Sequence, residues 1–524
     1  MSMSDQSRML LAATLMMAVL ALSWFLAKPG RTDPARQSET TETEAVMIQV
    51  PEQTSEPGDA TLPAVLPDSI APPRSIVLRI MDEGAVLVDA ELSTDGGCVT
   101  KWSLSRFPDL SGVEDGSMVN LAANPWLEVM TPAGSRVQFS CDSPDTVTVT
   151  SETEIIFNYG SARRTFAFNS GTYAFDVYDE GLSEAITVQA GAIPVTEEDA
   201  DMRQYFSACW YTNKMTRKKS PSVEAFEGVG NSRWVASASR YFCIVLLPHS
   251  RERVSGFVAP GEGGSPEVSL ETDSVTVYAG PVGYTVLSAL GSDTGKMVDF
   301  GFPVIRQLAQ LIFLYLERVL SFIGNWGLRI MVLAVTLQVL MMPLTRKSYV
   351  AMQKMQKLAP AIKEIQKKYA SDPQKQQLAM QKLYKESGAN PLGGCLPMIL
   401  QMPVFFAMYR VLGNAVELRG APFVLWVTDL SRPEILIHFQ SPILGLPGIG
   451  LMALVTAAFM LIQQKMNSAS MQQQKAMMYL MPVMMGYFFM KFAAGLNLYW
   501  MVYNILSMVN QELIKKKMQA EESV

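Results

Sequence analysis

The side chains equipped for chemistry are few and scattered. Two histidines, His249 and His438, stand far apart, and neither sits in a CxxC, HExxH or similar ligand-spaced cluster. That spacing argues against a zinc enzyme or a His-based triad. No GxxxxGK(S/T) loop occurs and no GxGxxG opens a strand-to-helix turn, so bound nucleotide has no visible cradle. No metal and no cofactor is expected. The polar residues that stand out are embedded in apolar runs: Thr336, Gln338, Gln401, Arg410, Asn497, Tyr503 and Asn504. Their chemistry is non-covalent. In a hydrocarbon setting their amide and hydroxyl groups can hydrogen-bond a passing peptide, or they can join one helix to the next, a bond worth ~0.6 to 2 kcal/mol.

The composition agrees with a membrane setting. Of 524 residues, 49% are apolar and 18% charged, below the roughly 25% of soluble domains. With 43 basic and 49 acidic residues the net charge is -6, which excludes a strongly basic nucleic-acid binder. Residues 9–27 carry no charge and make about 28 Å of helix, close to a ~30 Å hydrocarbon layer. The run exceeds the roughly 7 to 15 residues of a signal-peptide core and ends on a poor cleavage site, Phe25-Leu26-Ala27, so 1–28 reads as an uncleaved anchor. Residues 29–74, rich in Pro, Thr, Glu and Ser, read as a flexible tether. From 75 to 298 apolar residues alternate with polar ones, as in 146–159, which predicts an all-β sandwich. Cys98, Cys141, Cys209 and Cys243 fall there. Four thiols in an exported domain allow three disulfide pairings, and buried free cysteines are the alternative.

Residues 299–324 predict an amphipathic helix lying in the interface, with Leu308, Leu311, Ile312, Tyr315, Leu316 and Val319 on one face and Arg306, Gln310, Glu317 and Ser321 on the other. Five apolar runs follow, 327–345, 393–413, 441–462, 476–490 and 492–511, which with the anchor makes six transmembrane helices. Between the second and third lie ten basic residues against three acidic ones, and Lys515, Lys516 and Lys517 mark the 515–524 tail. The positive-inside rule then puts this loop and both termini in the cytoplasm and the β-domain outside.

The 346–390 loop is itself patterned. Met352, Met355, Leu358, Ile362, Ile365 and Tyr369 recur at helical spacing, and Leu378, Met380, Leu383 and Tyr384 follow after Ser371-Asp372-Pro373. Two amphipathic helices in a hairpin are predicted. A hairpin packed only on itself is one reading. Its methionines favour the other, capture of varied apolar segments by Met352, Met355 and Met380, because thioethers adapt to many shapes.

Within this second half the chain resembles the YidC membrane protein insertases, Gram-negative type, of the YidC/Oxa/Alb family. The resemblance runs in order over 299–511, through Asn325-Trp326-Gly327, Pro343-Leu344-Thr345, the 390–397 motif NPLGGCLP, Gln401-Met402-Pro403, Glu417-Leu418-Arg419, and Ala494-Gly495-Leu496 with Leu498-Tyr499-Trp500. The outer domain matches more weakly, through Tyr278-Ala279-Gly280-Pro281, and by analogy would be a sandwich similar to sugar-mutarotase folds. The resemblance implies a non-enzymatic insertase and chaperone of the cell inner membrane. It would serve nascent membrane proteins coming from the ribosome, alone or with the Sec translocon, and release them sideways into the lipid bilayer. The resemblance also implies a five-helix core, 325–514, around a polar groove open to lipid and cytosol. One departure matters: the family places an arginine five residues before the Pro-Leu-Thr proline, and here that residue is Gln338. Gln338 offers hydrogen bonds without charge. Arg410 is a possible substitute, yet about 22 Å of helix past Cys395 it sits nearer the outer side, where it can snorkel. Two further classes have less support: an ion-coupled transporter lacks paired intramembrane carboxylates, and a tethered sugar-binding protein has only His249 in its domain.

Overall fold

The computed structural model describes residues 72–111, 117–122, 124–130, 135–182, 187–197, 200–223, 227–249, 254–388, 396–467 and 475–522. The predicted anchor 9–27, nearly all of the tether and residues 390–395 lie outside them. The chain divides into two units, one ending at Val282 with Ser288–Met297 added, the other comprising Gly283–Leu287 and Val298 onward.

The first unit is built of strands. Ser75–Asp82 buries Ile76, Leu78 and Ile80 on one face, then reverses through Glu83 and Gly84, both left-handed, into the antiparallel Ala85–Ser93. These strands continue into a five-stranded sheet with Cys98–Pro108, Met118–Asn120 and the parallel Thr146–Val149. An eight-stranded sheet runs from Met215–Lys219 at one edge to Thr153–Tyr159 at the other, with Ser274–Pro281 and Ala174–Glu180 near its middle. Trp102 joins the two sheets: its ring lies 4.9 Å from that of Phe175, and its Nε1 donates to Ala279 O at 2.8 Å. A buried ion pair, Arg164 to Asp179 at 2.6 Å, fastens the same core. The four cysteines are all free, three of them buried, so the buried-thiol alternative holds.

The second unit is helical. After α1 (Tyr284–Ala289) come α2 (Pro303–Leu314), α3 (Trp326–Lys357), α4 (Ala359–Lys368), α5 (Pro373–Ser387), α6 (Leu396–Asn414), α7 (Leu451–Asn467), α8 (Lys475–Phe489) and α9 (Ala494–Glu522). Helices thus occupy four of the five predicted apolar runs nearly throughout, but the run 441–462 is corrected: it opens in a β-hairpin, Ile437–Ile443 with Leu446–Ile449, and is helical only from Leu451, because Pro442, Gly445, Pro447 and Gly448 break a helix there. Among the described residues one of them, α3, is long and apolar enough to cross a membrane, with a shorter apolar helix at Leu451–Gln464. Asn325 caps α3 by accepting from Leu328 N at 3.1 Å. The 32-residue α3 runs straight through Pro343 and the first part of the predicted hairpin before stopping at Leu358. The hairpin proper is α4 and α5, joined where Asp372 accepts from Lys375 N at 3.1 Å and Pro373 takes the first helical position. At the far end α9 continues through the predicted tail to Glu522.

Burial sorts the residues of two predicted segments, and it corrects one of them, Met380. In α2 and the π turn Tyr315–Val319, the buried stripe is Ala309, Ile312, Phe313, Leu316 and Leu320, while Leu311 and Val319 are exposed. The packed stripe shares Ile312 and Leu316 with the apolar face read from the sequence. In the hairpin, Met380 is 7% exposed and belongs with Ala359 and Ile362 to its interior. Met352 and Met355 are half-buried, and Leu378 is the exposed apolar residue.

Candidate functional site

The helical core of the second unit is a cluster that includes Ile312, Leu333, Met408, Leu412, Met452 and Tyr499. Within it the helices contact unequally: α9 packs along both α3 and α7, and each of these rests on α9 more than on the other. α9 thus lies between α3 and α7.

Polar groups on these three helices are buried without partners among the described residues. Gln338 on α3 is 4% exposed, and neither its Nε2 nor its Oε1 has a hydrogen bond. The Thr456 hydroxyl on α7, and on α9 the Trp500 Nε1, Asn510 Nδ2 and Gln511 Oε1, are in the same condition. A buried amide without a partner costs about 1–3 kcal/mol per group, and native proteins satisfy nearly all of theirs. With Asn497 Oδ1, six side chains on these three helices carry a buried polar atom without a hydrogen bond among the described residues.

The remaining predicted residues divide. Gln401 on α6 is buried and donates from Nε2 to the Tyr499 hydroxyl at 2.9 Å, which makes it interhelical glue. Asn497 donates from Nδ2 to Phe489 O at 2.9 Å, closing the end of α8, while its Oδ1 stays unpaired. Asn504 bonds back along its own helix to Trp500 O at 2.7 Å. Tyr503 is half-buried, its ring stacked on Trp500 with centroids 6.2 Å apart. Thr336 is exposed, its hydroxyl donating to Val332 O and meeting the Tyr315 hydroxyl, both at 2.9 Å. Arg410 is paired with Asp299 at 2.8 Å, both side chains more than a third exposed, in the stretch just before α2. The cation is thus neutralised at a partly exposed site, apart from the orphaned amides. Arg329 lies over the Trp326 ring at 4.4 Å and donates from Nε to Ile323 O at 2.6 Å, which holds it at the start of α3.

Thr456, Asn510 and Gln511 were missed from sequence. A signal for Gln511 was present: with Asn497 and Asn504 it recurs at every seventh position, one stripe of α9. In the first unit, His249 Nε2 is held by Asp176 Oδ1 at 3.0 Å and Thr276 Oγ1 at 2.7 Å, a surface arrangement between neighbouring strands. Among the described residues no group of His, Cys, Asp and Glu could hold a metal ion.

Residues 318–521 match the family model described as 60Kd inner membrane protein. The membrane protein insertase YidC of Wolinella succinogenes is 34% identical over 393 residues, covering 73% of this chain and 69% of that one. That of Geotalea daltonii is 29% identical over 521 residues, 89% of this chain and 92% of its own. The crystal structure of an active YidC insertase with its first transmembrane domain resolved matches at 18% identity over 83% of this chain and 94% of that one, with a TM-score of 0.36.

Proposed function

The chain belongs to the YidC membrane protein insertase family, and we propose that it inserts membrane proteins through the groove where α3 and α7 flank α9, by hydrogen bonding without a groove charge. The observation that carries this reading is Gln338, buried with both ends of its amide unpaired among the described residues. An external segment crossing hydrocarbon loses several kcal/mol per unsatisfied backbone group. The amides of Gln338, Asn510 and Gln511 and the Thr456 hydroxyl can take the place of water for such a segment and give it up again, since none is a full charge. Covalent chemistry is not required. The 15-residue α8 spans about 22 Å, short of a ~30 Å layer, so the surrounding bilayer thins and the polar path shortens.

Around this groove we place six spans, with both termini and the lysine-rich hairpin in the cytoplasm and the β-domain in the periplasm. The ribosome and Sec translocon are the partners expected at either side. The end of α3 and the hairpin receive the nascent chain on Met352, Met355 and Leu378, and the groove passes the polar part while apolar helices leave sideways into lipid. Neither an ion-coupled transporter nor a sugar-binding protein gains support from the relatives.

Photo-crosslinking tests the path. A probe at position 338 should capture a ribosome-stalled nascent chain, and a probe at Leu340, 66% exposed on α3, should capture it far less. Equal capture from both positions would place the client on the lipid face instead.

A further inference from the structure

Two turns of the helical unit put leucine where the backbone favours glycine or asparagine. Leu425 (φ 57) and Leu444 (φ 53) are left-handed, a conformation uncommon for any residue with a Cβ and unusual for a bulky one. They are also 84% and 81% exposed. Such a residue at an exposed tip has neither backbone fit nor packing to recommend it in water.

Both tips are held firmly. Phe423 N donates to Val427 O at 2.9 Å across the first turn, and Trp426 Nε1 is fixed to Glu434 Oε1 at 2.5 Å. The second turn caps the 437–449 β-hairpin, and its Leu444 O accepts from the Tyr487 hydroxyl of α8 at 2.9 Å. The side chains are therefore presented at set positions.

Their level along the helices is set too. Pro422 O accepts from Asn325 Nδ2 at 3.2 Å, and a Cβ on Gly327 would collide with the Phe423 ring, so the first turn packs on the start of α3. That is the end of α3 opposite the lysine-rich hairpin. Gly495 N donates to Leu430 O and Ala494 N to Arg432 O, which brings the start of α9 to the same loop, and Tyr487, near the end of α8, stands a few residues before it. The start of α3 carries the marks of a membrane–water boundary: Trp326 under the Arg329 guanidinium, and Phe322, 81% exposed, just before it. Residues 421–427 and 441–450 contain no charge.

From this combination we propose that Leu425 and Leu444 are lipid-inserted tips, seated at the headgroup and acyl-chain boundary of the leaflet at the start of α3. The occupant of these surfaces is lipid, because uncharged turns at the level of an interfacial Trp–Arg pair meet that boundary before anything else. The two tips pin the start of α3 and the α8–α9 junction to one leaflet. The inference rests on α3 crossing a bilayer and is independent of how the groove works.

Diazirine probes placed at 425 and 444 in the full chain, reconstituted into phosphatidylethanolamine and phosphatidylglycerol vesicles, test it. Position 340, exposed midway along α3, reports bilayer contact, and exposed Gln374 on the hairpin reports water. We expect lipid adducts at 425 and 444 near the yield at 340 and several-fold above that at 374. Adducts to a second copy or to the β unit, or lipid yields no higher than at 374 while 340 labels, overturn the proposal and leave the insertase reading standing. Absence of lipid adducts at 340 as well removes the bilayer crossing on which the proposal rests.

Discussion

Gln401 on α6 donates from Nε2 to the Tyr499 hydroxyl on α9 at 2.9 Å, both side chains buried. A second glutamine, Gln338, is buried as deeply and bonds to nothing among the described residues. The two residue types are identical and their expected roles are opposite. Gln401→Leu and Tyr499→Phe should each lower thermal stability by about 1–3 kcal/mol, because each strands a buried partner. The double substitution should cost less than the sum of the two. Thermal unfolding of the purified chain measures this, and insertion per folded molecule should hardly change.

The Arg410 to Asp299 pair is a partly exposed ion pair, worth at most about 1 kcal/mol. Arg410→Gln should therefore leave stability within that range and insert acidic-tailed and neutral clients in the same ratio as the parent. An insertion assay on clients matched in all but the charge of the external tail checks it. A defect confined to acidic tails would show that the arginine reaches the client.

Along the end of α3 and the hairpin the methionines separate by burial. Met352→Ser with Met355→Ser should reduce crosslinking to nascent chains while α4 and α5 persist. Met380→Ser, in the interior, should instead loosen the hairpin at about 2–4 kcal/mol, as for other buried apolar truncations. Limited proteolysis within 359–387 reports the second effect, and crosslink yield reports the first. Unchanged crosslinking in the Met352 and Met355 double variant would make the end of α3 a scaffold.

Much of this architecture could be read from residue patterns, and the failures share a cause. The alternation in 75–93 gave the strand pair and its Glu83-Gly84 turn, and Ser371-Asp372-Pro373 gave the start of α5, because water on one face forces polar residues to alternate there. In α2 that contrast is missing, since Leu311 facing out and Phe313 facing in are equally apolar, and the packed face cannot be read from residue types alone. The buried glutamines behave similarly. Gln338 was visible as an amide where the family resemblance expects a cation, but nothing in its sequence context separated it from Gln401. Only the presence of the Tyr499 hydroxyl beside one and its absence beside the other does so.

The four cysteines of the β unit should react in two classes. In the native protein, Cys141, which is partly exposed, should take a maleimide at neutral pH, while Cys98, Cys209 and Cys243 react only after denaturation. For Cys98 burial is the main reason, with the nearby Glu128 charge adding to it, and together they push the thiol up to about 11. Its thiolate fraction, and with it any native labelling, should rise only as the pH climbs towards that value. Mass spectrometry of alkylated protein without reduction should find all four thiols. A missing pair would mean a disulfide.

The account turns on Gln338 serving the client and not the fold. Insertion by Gln338→Leu, measured beside its thermal stability on clients matched in their apolar helices but differing in the polarity of their external segments, tests this most directly. Since Gln338 has no hydrogen-bond partner to lose among the described residues, the variant should be as stable as the parent or more so. Clients with polar external segments should insert about tenfold more slowly, the factor corresponding to ~1.4 kcal/mol, and strongly apolar clients should insert at the parent rate. A stable Gln338→Leu protein that inserts both clients like the parent would contradict the groove mechanism.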